Sequence, residues 1–343
     1  MDLKQVQELQ EFLRKQEKAS KSKMHLLQTH ISYVILTPKY AYKIKKPVNF
    51  GFLDFSSLEK RKYYCEQELL LNKRLSPDIY LSVSRVTKSG GSIALDIEEN
   101  FEVLDYCVVM KHLPQDMIMT VLVEKGKVNA QAIKNLVEIL AEFHANAETG
   151  RNISEFGSVA KIQFNTDENF AQTVQFIGKT ITKKQRDFIK SRTNAFLTNT
   201  DLFRKRIKNR RIRDCHGDLH TGNIFIVGDT TIKKNIFVMD CIEFNERFRY
   251  GDVASDIATL AVDFDFLSRK DLSEALVKEY AKLSSDAGFL RILNFYKCYR
   301  AFVKGKIISF LLNDQAITIK EKKHAEEKAK KYFELAETYS KKL

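Results

Sequence analysis

No apolar run in the chain approaches the roughly 18 residues that a membrane-spanning helix needs, so no such helix is expected. The N-terminus, MDLKQVQELQEFLRKQEKASKSK, also lacks the apolar block of a signal peptide, and a cytoplasmic address is the expectation. Cysteine is sparse. Cys65, Cys107, Cys215, Cys241 and Cys298 are scattered with no CxxC pair, and they read as buried reduced thiols rather than disulfides or zinc ligands. There is no internal repeat, no low-complexity linker and no GxxxxGK[ST] loop, a pattern that VKGKI at 303–307 does not meet.

What is present is a chain of 343 residues, enough for a two-lobed or two-domain body. Hydrophobic residues make up 44% and charged ones 29%, which fits a globular protein with an ordinary core. The net charge of +13 raises the question of anionic partners. The basic residues are not interleaved with aromatics and match no recognised module, which argues against nucleic acid. A lysine-rich solvated surface accounts for the charge. The C-terminal KEKKHAEEKAKKYFELAETYSKKL mixes both signs over a thin stripe of Tyr332, Leu335, Ala336 and Tyr339, and reads as an exposed helix.

Along the chain, Leu3, Val6, Leu9, Phe12 and Leu13 fall at helical spacing. Residues 31–37 and 40–46 read as an antiparallel strand pair around the turn Pro38-Lys39. A helical pattern over 57–75 carries Tyr64, Leu69, Leu71 and Leu75 and stops at Pro77. LSVSRVTK and SIALDI read as strands joined at Gly90-Gly91, and VLDYCVVMKHL as a buried strand running into a linker at Lys111–Pro114. Beyond that point the pattern is mostly helical. Asn129 caps a helix with Ile133, Leu136, Leu140 and Phe143 on one face, and Thr182 with Gln185 reads as a capping box. A hairpin (NIFIV, turn at Gly228-Asp229, NIFVMD) and helices near 252–266, 269–285 and 289–312 complete the chain.

The chemistry concentrates in CHGDLHTGNIF at 215–225 and VMDCIEF at 238–244. Phosphoryl transfer is mostly positioning and charge neutralisation. It needs a carboxylate for the acceptor's proton, oxygen ligands for magnesium and a cation on the phosphates. Asp218 sits in the loop, and Asn223 follows at the Asp-to-Asn offset of the protein-kinase loop HRDxxxxN. Asp240, at the end of the hairpin, offers a hard oxygen to the metal.

Together with THISYVILTPKYAYKIKKPVNFGFLDFSSLEKRKYYCEQELLLNKRL, DCIEFNERFRYGDVASDIATLAVD and FYKCYRAFVKGK, these motifs give a resemblance over nearly the whole chain. The chain resembles the aminoglycoside-phosphotransferase-like kinases, and within them a bacterial group whose members sometimes carry a P-loop kinase domain after this one. That resemblance implies an α+β, two-lobed, protein-kinase-like fold. Residues 1–110 would form the nucleotide-binding lobe and residues 111–343 the catalytic and substrate-binding helical lobe. It implies ATP and Mg2+ as cofactors, Asp218 as base, and Asn223 and Asp240 as metal ligands. The phosphate-binding lysine maps to Lys43, with Lys45 on the same face of a regular strand as the alternate. Its partner glutamate maps to Glu68, with Glu66 second. Ser32, in the turn Thr29–Ser32, would donate to a phosphate, and the backbone of Met110, Lys111 and Leu113 would hold adenine. His216 and Asp252 resemble residues that brace the loop, and His144 reads as a core histidine.

The implied activity is transfer of the ATP γ-phosphate to a hydroxyl of a small molecule. Glu243, Glu246, Arg249, Asp263, Asp265, Arg300, Lys304 and Lys306 are the candidates to bind that acceptor. This mixture of signs does not make an acidic pocket for polycations, and Arg249, Arg300 and Lys304 suit a phosphate or carboxylate on the acceptor. A protein-kinase-like activity is the alternative, but no DFG and no APE-ended segment follow Asp240. A catalytically inactive basic binding module would leave Lys43, Asp218, Asn223 and Asp240 without a purpose. The acceptor's identity, ATP against GTP, and the oligomeric state are not written in the sequence.

Overall fold

Alternation of outward and inward side chains along two short strands sets the frame of the N-terminal part. The computed structural model describes residues 1–18, 20, 23–89, 92–96 and 102–343. Strands β1 (His25–Gln28), β2 (Ser32–Leu36), β3 (Tyr40–Lys45), β4 (Tyr80–Ser89), β5 (Ser92–Leu95) and β6 (Glu102–Lys111) form one sheet in the order β1-β2-β3-β6-β4-β5. Every neighbouring pair is antiparallel. Between β2 and β3, Thr37 Oγ1 accepts the Lys39 and Tyr40 N–H groups, which closes the turn that Pro38 starts. The expected Gly90-Gly91 turn lies outside the described residues.

The two faces of this sheet are covered by different helices. Helix α1 (Leu3–Gln16), capped by Asp2, buries Val6, Leu9 and Leu13 against Ile35, Tyr42, Ile44, Val86, Cys107 and Val109. Each such side chain contributes roughly 1.5–3 kcal/mol relative to exposure, so packing more than propensity holds α1. Helix α2 (Leu58–Asn72), capped by Ser57, lies on the other face, where Cys65 meets Leu36, Ala41, Val108 and Met110.

The remaining elements are mainly helical. They are α3 (Met119–Glu124), α4 (Ala130–Asn146), α5 (Arg151–Ser154), α6 (Val159–Gln172), α7 (Lys183–Leu197), α8 (Thr200–Lys208), α9 (Glu246–Arg249), α10 (Val253–Phe266), α11 (Lys270–Leu283), α12 (Phe289–Phe310) and α13 (Ile319–Ser340). Three-residue strands β7 (Ile212–Asp214) and β10 (Tyr250–Asp252) pair antiparallel, and β8 (Ile224–Ile226) pairs with β9 (Ile236–Val238). Helix α10 is buried on all sides from Val253 to Val262, as an all-round apolar helix must be.

Two local expectations change. The C-terminal stripe is core, not a thin exposed face: Ala329, Tyr332, Phe333, Ala336 and Tyr339 of α13 pack against Cys298, Ala301 and Phe302 of α12. Charged residues on the opposite face masked this in the sequence. At α7, Thr182 accepts the Gln185 N–H, but the Gln185 side chain donates to Glu337 instead of returning to the cap.

The chain divides into two compact units. The first holds Met1–Met117, Ile224–Gly228 and Phe237–Glu246, and the second holds Ile118–Asn223, Asp229–Ile236 and Arg247–Leu343.

Candidate functional site

In the first unit, β3 turns Ala41, Lys43 and Lys45 to the face that α2 covers, by the period of two. Lys43 Nζ lies 2.8 Å from Glu68 Oε1 and 2.6 Å from Asp240 Oδ1. Lys45 Nζ lies 2.7 Å from Glu68 Oε2, pairs with Glu243, and sits 4.8 Å from the centre of the Phe55 ring. The two lysines differ in access, because the Lys43 side chain is 15% exposed and that of Lys45 1%. Glu66, the second choice for the glutamate, is exposed and faces Lys62 at 3.9 Å.

Burial works against charge on Lys43, Lys45, Glu68 and Glu243. It would lower the Lys43 pKa, but Asp240, Glu68 and Glu243 more than reverse that and raise it well above the usual value. Burial would raise the Glu68 pKa, and Lys43 and Lys45 turn the shift downward. For Glu243 burial prevails, helped by Glu68 and opposed by Lys45, and its pKa goes up.

Asp240 follows β9 with φ at 62°, a left-handed conformation that aspartate tolerates better than most residues. The Tyr80 hydroxyl accepts its N–H at 3.1 Å, and Asn72 Oδ1 accepts the Cys241 N–H at 2.9 Å. Ser76 Oγ donates to the Val238 carbonyl. The end of α2 and the start of β4 thus fix the carboxylate that meets Lys43.

Ser32 pairs with Lys45 across β2 and β3, and its Oγ is buried with no hydrogen-bond partner. The turn before it is closed on itself, because Thr29 Oγ1 accepts the Ser32 N–H. Met110 is a buried β6 residue paired with Ala41 and Tyr80, and the Lys111 N–H goes to Ile79 O. His112 N–H goes to Lys39 O. Leu113, past the strand, has an N–H with no acceptor among the described residues.

In the second unit the loop at 215–223 hangs from α10. Asp256 accepts the His216 N–H at 2.8 Å and the Gly217 N–H at 3.0 Å. His144 Nε2 lies 3.2 Å from the same carboxylate, and its Nδ1 lies 2.8 Å from the Tyr280 hydroxyl. Burial would raise the Asp256 pKa, but His144, His216 and Arg300 bring it down to about 2. Gly217 sits at φ 87°, where glycine bears no Cβ penalty. Asp256 was missed in the sequence, although an acid inside the apolar run VASDIATLAV is itself a signal that something buried needs it. Asp252 instead takes both Arg206 Nε (2.7 Å) and Nη2 (2.6 Å) and caps α10 through the Ala254 N–H. His144 and Asp256 also come near Cys215, with ligand atoms within 4.8 Å of one another. The hydrogen bonds above already occupy the imidazole and the carboxylate.

Asp218 emerges from this brace with its side chain 38% exposed. Its carboxylate lies 3.1 Å from Lys304 Nζ and 3.4 Å from His220 Nε2. Burial would raise its pKa, and Lys304 with His220 hold it well below the usual range. Asn223 Nδ2 donates to the Asp218 carbonyl at 3.0 Å, and His220 Nδ1 accepts the Gly222 N–H. Asp263 accepts both the N–H and the hydroxyl of Thr221. Among the acceptor candidates, Arg249 pairs with buried Asp214, and Asp265 with Lys297 and Tyr339. Lys306 reaches the amide oxygens of Asn169 and Gln172 and lies over the Phe310 ring, and burial lowers its pKa to about 8.

Carboxylate and amide oxygens are the donor types that a hard cation takes. The Lys43 contact uses one Asp240 oxygen, while the carboxylate is 53% exposed. The Asn223 amide nitrogen donates to the Asp218 carbonyl, and an amide oxygen is a kind of donor that a hard cation takes.

No family model matches the chain. The uncharacterized protein Rv2004c of Mycobacterium tuberculosis (strain ATCC 25618 / H37Rv) is 32% identical over 282 residues, covering 82% of this chain and 53% of that protein. The chain therefore spans about half the length of the curated relatives it matches. Aminoglycoside phosphotransferase APH(2'')-Ib, solved with ADP bound, superposes with a TM-score of 0.50 at 17% identity, over 97% of this chain and 99% of its own. The amicoumacin kinase hAmiN, solved with AMP-PNP, Ca2+ and Ami, gives 0.52 at 12% identity, over 97% and 96%. These likenesses define the class of fold: the chain has the α+β, protein-kinase-like fold of the aminoglycoside phosphotransferases, as the sequence led us to expect.

Proposed function

We propose that the chain is an ATP-dependent phosphotransferase that moves the γ-phosphate to a hydroxyl of a small molecule. The observation that carries this reading is the Lys43–Glu68–Asp240 cluster, closed by ion pairs of 2.8 and 2.6 Å on the strand and helix that kinases use for it. Lys43 holds the phosphates, and Glu68 orients it. Lys45 is the lesser candidate, since it is buried between two glutamates. The Leu113 N–H, clear of the sheet, is a natural donor to adenine. Magnesium would neutralise phosphate oxygens, with Asp240 and Asn223 each offering it a hard oxygen.

Asp218 takes the acceptor's proton. As the hydroxyl oxygen bonds to the γ-phosphorus, the bond from that phosphorus to the β–γ bridging oxygen breaks and ADP leaves. The low pKa of Asp218 keeps it a carboxylate at neutral pH, ready to accept. A protein substrate is disfavoured because only residues 241–245 separate Asp240 from α9, which leaves no room for a docking segment. A polycationic acceptor is disfavoured as well: Asp263 and Asp265 are spent on Thr221 and on Lys297 with Tyr339, while Lys304 faces the base.

Asp218→Asn decides the matter. Across a library of small alcohols, sugars and amino alcohols, its ATP consumption should fall by about 10²–10⁴-fold with Mg·ATP affinity retained. Full turnover in that variant would sink the assignment.

A further inference from the structure

A phosphoryl group in flight needs cations at its oxygens, and these supply most of the catalysis. Protein lysines or arginines near the acceptor are therefore the groups to seek. The loop carries none: between Asp218 and Asn223 stand Leu219, His220, Thr221 and Gly222. A lysine arrives instead from a helix distant in sequence. Lys304 of α12 places Nζ 3.1 Å from Asp218 Oδ1, with 23% of its side chain exposed.

The position of Lys304 is built, not incidental. One turn earlier, Arg300 donates to the Gly217 carbonyl at 2.9 Å and to Ser255 Oγ at 2.8 Å, which ties α12 to the loop and to α10. One residue later, Gly305 lies flat against Phe333 of α13, where a Cβ would come within 3.0 Å of the ring. The neighbouring cations of α12 are turned elsewhere, Lys297 to Asp265 and Lys306 to α6. An ammonium has three protons. One meets Asp218, and among the described residues no acceptor takes the other two, which are left for oxygens of an arriving group.

We infer that Lys304 is the cation of the transfer step: it hydrogen-bonds the γ-phosphoryl oxygens as that group passes to the hydroxyl held by Asp218. This rests on the phosphotransferase reading and adds to it a catalytic residue supplied from outside the loop. The step balances as above, with the proton on Asp218 and ADP as the leaving group. Lys304 gives up no proton and stabilises only the charge on the phosphoryl oxygens.

The test needs no knowledge of the acceptor, because water can serve. Phosphate release from Mg·ATP is measured for the full chain and for Lys304→Gln and Lys304→Arg, alongside binding of Mg·ADP with and without aluminium fluoride, a mimic of the transferring group. The Gln variant should lose about 100-fold in kcat with KM for Mg·ATP and affinity for Mg·ADP within about twofold, and aluminium fluoride should no longer tighten its ADP binding. The Arg variant should recover most of both. Should the Gln variant fail to fold, Lys304→Met carries the same test. Wild-type kcat in the Gln variant, a loss confined to KM, or undiminished tightening by aluminium fluoride would overturn the role of Lys304 and leave the phosphotransferase reading standing. If the unaltered protein neither binds nor hydrolyses Mg·ATP, the phosphotransferase reading falls first, and the role of Lys304 with it. Where hydrolysis by the unaltered protein is too slow to measure, the aluminium fluoride arm decides.

Discussion

Two lysines and two glutamates of the first unit meet in a space nearly closed to water, with Glu68 shared between Lys43 and Lys45. Their removal should not be equivalent. Glu68→Gln leaves two buried ammonium groups short of a carboxylate, and an unbalanced buried charge costs about 3–5 kcal/mol. Lys45→Met leaves Glu243, whose pKa burial has already raised, so it can take a proton and become neutral. Urea unfolding at neutral pH should therefore rank Glu68→Gln well below Lys45→Met, and the reverse order would mean that the glutamate is not the hub. Alternation along Tyr40–Lys45 is enough to place both lysines on one face, which is why this half of the site was legible in sequence. The asymmetry between them was not, because Glu243 lies almost 200 residues away and only folding brings it to Lys45.

At the scale of elements, the two long helices α12 and α13 show how a small residue positions a functional one. Gly305→Ala would gain about 1 kcal/mol in helix propensity. It would also press a methyl group on the Phe333 ring at 3.0 Å, where that ring is fully buried and packed against Phe302. Overpacking costs about 1–3 kcal/mol, so a net loss is expected in urea unfolding. In a Phe333→Leu background the same change should become neutral or stabilising. The existence of α12 was legible from its apolar spacing. Its approach to the loop was not, since the contact of Lys304 with Asp218 is set by helix packing and by Arg300, neither of which leaves a local pattern. The same holds for Asp256, whose two loop N–H groups lie about 40 residues upstream. For α13, periodicity revealed the helix, but abundant lysine and glutamate concealed how much of it is core.

For the molecule as a whole, ligand binding should be visible as stability. A nucleotide complex that binds only the folded chain adds about 2.7 kcal/mol at a hundred times its dissociation constant. Mg·ATP should therefore raise the midpoint of thermal unfolding more than ATP with a chelator does. In Asp240→Ala the increment due to magnesium should vanish, and an unchanged increment would remove Asp240 from metal binding. The net charge of +13 needs no nucleic acid to explain it. In protein kinases the lysine–glutamate pair is opened and closed by moving the helix that carries the glutamate, and this motion is their switch. Here Glu68 anchors a second, fully buried lysine, which Glu243 also grips. Swinging α2 away would take one carboxylate from both lysines at once, leaving Lys43 with Asp240 and Lys45 with Glu243. A helix wired in this way is costly to swing, so α2 is expected to stay in place where a kinase switch would move it.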